Sequence, residues 1–138
     1  MQTFVSFLRG INMAGHYPVK MADLSALYRG MGFTDAETYI QSGNVIITCE
    51  GSLSVSGAIK KIEKSIFEKF GYEVPVMIRT VEELRNIISV NPFLSEDNFD
   101  PSKMVAILLT EKPTEAMIRK MKDTNYPPDK FAIIGSEI

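Results

Sequence analysis

The sequence predicts an α+β fold: a βαββαβ unit over residues 1–80, followed by an α-β-α-β half over 81–138 that stops short of closing. Three observations predict it. Runs rich in β-branched and aromatic residues recur at 3–8, 37–41, 45–49 and 74–80. Two segments between them repeat apolar residues at helical spacing. Glycine or proline punctuates the junctions.

Thr3 to Leu8 is the first strand and runs into a loop, Arg9 to Pro18, that carries Gly10, Gly15 and a proline. From Lys20 to about Met31, the apolar residues Met21, Leu24, Leu27, Tyr28 and Met31 form one helical stripe, which Gly32 stops at a C′ position. Glu37–Gln41 and Val45–Cys49 flank Ser42-Gly43-Asn44, where the glycine supplies the positive φ of a tight hairpin. Ser54 caps a second helix with Val55, Ile59, Ile62, Ile66 and Phe70 inward and Lys60, Lys61, Lys64, Glu68 and Lys69 outward. Gly71 ends it. Val74–Thr80 is the fourth strand, with Pro75 at its start or on a sheet edge. Strand, helix, strand, strand, helix, strand is the ferredoxin-like plan, an antiparallel sheet with two helices on one face.

In the remainder, Thr80-Val81-Glu82-Glu83 reads as a capping box opening a short helix that Asn91-Pro92 ends. Met104–Leu109 is an apolar run expected to be a buried strand. Pro113 suits the first turn of a helix bearing Met117, Ile118 and Met121, and Pro127-Pro128 closes it. Phe131–Ile134 is expected to be the last strand. A second ferredoxin-like half would lack its closing strands, so this half is expected to join the first sheet, be completed by another chain, or be truncated at its C-terminus.

Composition narrows the class. At 138 residues, with 45% hydrophobic and 23% charged side chains, the chain has the make-up of a globular protein that buries a core. No apolar run approaches the roughly 18 residues a membrane span needs, and Met1-Gln2-Thr3-Phe4 does not open a signal peptide. One cysteine, Cys49, excludes an internal disulfide, suits a reducing cytoplasm, and reads as a small core residue. Net charge is −2, and no segment is strongly basic: residues 51–80 carry five basic and three acidic side chains, and 81–138 carry seven and ten. Duplex DNA binding through many phosphates is therefore disfavoured.

The topology itself points to a site. Strands 1 and 2 run parallel, so the loop after strand 1, the start of helix 1 and the hairpin after strand 2 emerge at one end of the sheet, with the turn at Gly71-Tyr72. Arg9, Asn12, Lys20, Gln41, Ser42 and Asn44, with Gly10, Gly15 and Gly43 between them, are thereby expected on one rim. The free amides of helix 1 would face an anion there. Lys20 opposes the helix dipole by roughly 0.3–1 kcal/mol, where stability alone favours Ser, Asp or Glu. The bland readings compete: Lys20 solvated beside Asp23, Arg9 pinning a carbonyl, Asn12 capping its own loop, and Gln41–Asn44 as ordinary turn chemistry.

Catalytic and cofactor motifs are thin. His16 is the single histidine and has no motif partner, so no dyad, metal cluster or assigned catalytic residue follows. Gly10 to Gly15 has the glycine spacing of a Walker loop, but His16-Tyr17 stands where Lys and Ser/Thr are required. The RNA-recognition reading wants aromatics on the third strand, and Val45–Cys49 has none. No cofactor is expected.

The stretches Leu8-Arg9-Gly10-Ile11-Asn12, Val19-Lys20-Met21-Ala22-Asp23-Leu24 and Thr38-Tyr39-Ile40-Gln41-Ser42-Gly43-Asn44-Val45 closely resemble the bacterial family called domain of unknown function 1697, more weakly so through Asn91-Pro92-Phe93 to the end. The resemblance implies a compact cytoplasmic protein with tandem ferredoxin-like halves and no assigned activity, substrate or cofactor. Its motif positions fall on Arg9, Gly10, Asn12, Lys20, Gln41, Ser42, Gly43 and Asn44. This chain departs from the pattern in two ways. The family pattern after Asn12 resembles Val-Gly-Gly, against Met13-Ala14-Gly15 here, and members continue through a basic Arg-Asn-Trp segment that this chain lacks.

Three functions fit these features. The first is a binding module holding a small anionic ligand at the rim: a nucleotide, a phosphate ester or a single-stranded nucleic-acid end. The second is an enzyme on a phosphorylated or nucleotide-like substrate, with His16 or a substrate group moving a proton. The third is an interaction module, a homo-oligomer among its forms, using a sheet face that exposes Val5, Phe7 and Ile46.

Overall fold

The structure is a computed structural model that describes residues 1–124 and 126–138. The chain divides into two compact units, Met1–Arg85 and Asn86–Ile138.

The first unit is a mixed α+β structure. Its elements run β1 (Gln2–Leu8), α1 (Met21–Gly30), β2 (Asp35–Tyr39), β3 (Asn44–Cys49), α2 (Val55–Phe70) and β4 (Val76–Thr80). The strands form one sheet in the lateral order β2-β3-β1-β4, every neighbouring pair antiparallel. Alternation along each strand sends Phe4, Ser6 and Leu8 of β1, Val45, Ile47 and Cys49 of β3, and Val76 and Ile78 of β4 to one buried face. Both helices cover that face, with Leu24 and Tyr28 from α1 and Ala58, Ile62 and Ile66 from α2. Full burial of a Leu or Ile side chain contributes about 1.5–3 kcal/mol, so this seam holds the unit together. The one polar residue buried in it, Ser6, shares a hydrogen bond of 2.8 Å with the Tyr28 hydroxyl.

Element ends follow the local chemistry. Ser54 Oγ accepts from the Gly57 N–H at the start of α2, and Gly71 closes the helix at φ +77. Gly32, at φ +93, donates its N–H to the Arg29 carbonyl just past α1, while Lys61 Nζ donates to the Met31 carbonyl at 2.8 Å. A cation at a helix C-terminus suits the dipole. Pro75 precedes β4, which is an edge strand. Side chains occupy part of both edges: Glu63 Oε1 accepts from Val76 N–H and Glu83 Oε2 from Thr80 N–H on β4, while Ser25 Oγ and Arg29 donate to the Ala36 carbonyl on β2. Such occupation blunts edge-to-edge pairing. Thr80 and Glu83 exchange both bonds of the capping box that opens α3 (Val81–Ser89).

The second unit holds two short 3₁₀ turns, Pro92–Ser95 and Pro101–Lys103, capped by the Asn91 and Asp100 side chains. It also holds α4 (Glu115–Lys122), capped by Thr114. Pro113 lies before that cap rather than in the first turn, and α4 ends well before Pro127. Two expectations from the sequence are corrected here. Met104–Leu109 is not a buried strand: it pairs only near its end, where Ile107 and Ile138 exchange N–H···O bonds and Leu109 N–H donates to Ser136, while Val105 is 74% exposed. Phe131–Ile134 is not a strand either, since Ile134 bonds back to Glu137 around Gly135. A regular strand needs a neighbour along its whole length. The apolar runs have the right side chains but lack that neighbour among the described residues.

Candidate binding site

Three connections meet at one end of the sheet in the first unit. Leu8 N–H donates to the Gly43 carbonyl and Arg9 N–H to the Pro75 carbonyl, so the loop leaving β1 is tied to the β2–β3 turn on one side and the α2–β4 turn on the other. Asn12 completes the assembly. Its Nδ2 donates to the carbonyls of Val19 and Gln41, both at 2.9 Å, and its Oδ1 accepts from Val19 N–H at 2.8 Å. Asn12 takes φ +53, a region asparagine tolerates better than other side-chain residues.

Beneath this lies an apolar anchor. Ile11 is almost wholly buried between Gly10 and Asn12 and sits against Gly43, where an added Cβ would come within 2.5 Å of Ile11 Cδ1. Gly43 also has φ +85, so glycine is required twice over, for conformation and for space. The hairpin turn is Ile40–Gly43, closed by the Tyr39–Asn44 pair, one residue wider than the sequence suggests. Ile40 adopts φ +53 and is exposed, an uncommon conformation for a β-branched residue. Farther out, His16 N–H donates to the Met13 carbonyl and Asn12 N–H to Tyr17, making a small turn with positive φ at both central residues, Ala14 and Gly15. That is the conformation a type I′ turn demands.

The eight residues singled out from the sequence divide by role. Asn12 and Gly43 build the rim, and Ser42 Oγ accepts from Asn44 Nδ2 within the hairpin. Gln41 enters through its backbone carbonyl, and its side chain is exposed. Gly10 takes φ +79 with open space where a side chain would stand. Arg9 and Lys20 are left over: both are exposed, and neither side chain has a hydrogen-bond or ion-pair partner among the described residues. Lys20 makes no pair with Asp23.

Lys20 is also the N-cap of α1, and its side chain caps nothing, whereas Ser54, Thr80 and Thr114 each accept from an amide at the start of the helix they cap. The first turn of α1 therefore presents uncapped amides beside a lysine. Tyr17 and Tyr72 meet across the same end, ring centroids 4.9 Å apart at 52°. Sequence reasoning places Gly71-Tyr72 there but misses this pairing, the anchor Ile11 and the strained Ile40. An isoleucine between a glycine and an asparagine in a polar loop is the signal that could have found the anchor.

The family model described as a protein of unknown function, DUF1697, matches residues 1–138, the whole chain. The chain belongs to the DUF1697 family. No curated protein matches it. Among solved structures, this DUF1697 chain is similar to the conserved bacterial protein SP0830 from Streptococcus pneumoniae, with 20% identity and a TM-score of 0.67. The match covers 89% of this chain and 66% of that one, so the chain spans just under two thirds of that protein's length. At that identity the likeness is one of fold. Within the DUF1697 chain no described helix is long and apolar enough to cross a membrane, and no group of three or more described His, Cys, Asp or Glu side chains could hold a metal ion.

Proposed function

We propose that the protein is a cytoplasmic binding module that holds a small anionic, phosphate-containing ligand at the rim formed by the 9–20 loop and the 41–44 hairpin. The first unit is read as ferredoxin-like, a reading supported by its element order and the lateral order β2-β3-β1-β4. The observation that carries the function is Lys20: a cation at the N-cap of α1, bonded to none of the described residues, beside amides that no described side chain caps. Stability alone would place Ser, Thr, Asp or Asn there. An anion reconciles the two, because it accepts from the amides and neutralises the lysine. Arg9 supplies a second cation without a partner among the described residues. Asn12, Ser42, Gly43 and Asn44 hold the loops in register for the ligand, while Gly10 and Gly15 let backbone lie open beside it.

Thermal unfolding with inorganic phosphate and simple phosphate esters tests the proposal. A ligand at about 100 times its Kd adds ~2.7 kcal/mol of stability. For 138 residues that is a rise of several degrees in Tm. No shift at millimolar ligand, or an equal shift in Lys20→Ser, defeats it.

A further inference from the structure

We draw no further inference here: the strongest candidate, the apolar face of the sheet opposite α1 and α2, where Val5 pairs with Ile46 and Phe7 with Met77, carries nothing because nothing in the structure shows what covers it.

Discussion

Asn12 Nδ2 donates to the Gln41 carbonyl at 2.9 Å, fastening two loops that lie 29 residues apart in the chain. Together with the two bonds to Val19, this occupies most of the carboxamide's capacity at a half-buried position. Asn12→Ala should therefore cost about 2–3 kcal/mol in urea unfolding, from three lost hydrogen bonds and an alanine held at φ +53. Asn12→Gly loses the same bonds without the conformational penalty, so it should be the milder variant. If the two are equal, the left-handed backbone carries no strain.

Gly43 supports Ile11 by having no side chain. Gly43→Ala should destabilise by at least ~2 kcal/mol, because the new Cβ meets Ile11 Cγ1 at 2.8 Å as well as Cδ1, and φ is +85. Ile11→Val removes Cδ1 and should recover part of that loss, so the double variant should be less damaged than the sum of the singles. Strict additivity in a double-mutant cycle would show that the two residues are not in contention.

Ala14 stands at the first central position of a type I′-like turn, at φ +49, a conformation that favours glycine. Left-handed backbone costs a residue with a Cβ roughly 1 kcal/mol. Ala14→Gly should therefore raise stability slightly, by up to ~0.5–1 kcal/mol after the entropy glycine returns to the unfolded chain. A drop in Tm would mean that the Ala14 methyl group makes a contact worth more than the strain.

What could be read from the sequence follows from which interactions are local. The helix caps at Ser54 and Thr80, the stop at Gly71 and the alternation in β1 and β3 depend on residues a few positions apart, and all four are found. The convergence of the 9–20 loop with the 41–44 hairpin is legible as well, because it follows from strand direction once the element order is known. The partner of each polar side chain is not. Asn12 and Lys20 look alike as rim residues in the sequence, yet the side chain of one is consumed by backbone groups and that of the other has no bond among the described residues. The apolar runs at 104–109 and 131–134 mislead for a related reason. Composition reports that a segment would make a good strand, but it cannot supply the strand beside it.

Lys20→Ser should move stability and binding in opposite directions. The backbone at Lys20 is extended, φ −72 and ψ 133, which a serine cap adopts readily. A serine there can accept from the first-turn amides as Ser54 does in α2, and it removes a cation from the positive end of the dipole. A gain of about 1 kcal/mol is expected. Affinity for phosphate compounds should fall in the same variant, since the hydroxyl now competes for the amides and the charge is gone. A less stable variant would show that Lys20 serves the fold, and one that binds phosphate as before would show that Lys20 takes no part in the site.

Tyr28 gives the fold a defined response to alkali. Burial pushes its hydroxyl well above the ordinary tyrosine value of 10.0, and the Ser6 hydrogen bond offsets only part of that. In the unfolded chain the group loses its proton near that ordinary value while the native state retains it, so above about pH 10 the unfolded state binds fewer protons. Stability is fully present below that pH and falls as pH rises beyond it. Tyr28→Phe removes this titration, so its unfolding free energy should decline less steeply between pH 10 and 11 than that of the parent, although the variant starts lower at neutral pH by about 1–3 kcal/mol because Ser6 Oγ is left buried without a partner. Adding Ser6→Ala should restore most of the neutral-pH loss while keeping the shallower alkaline slope. Parallel slopes in parent and variant would mean that Tyr28 ionises in the native state as an exposed tyrosine does, and that the Ser6–Tyr28 pair lies open to water.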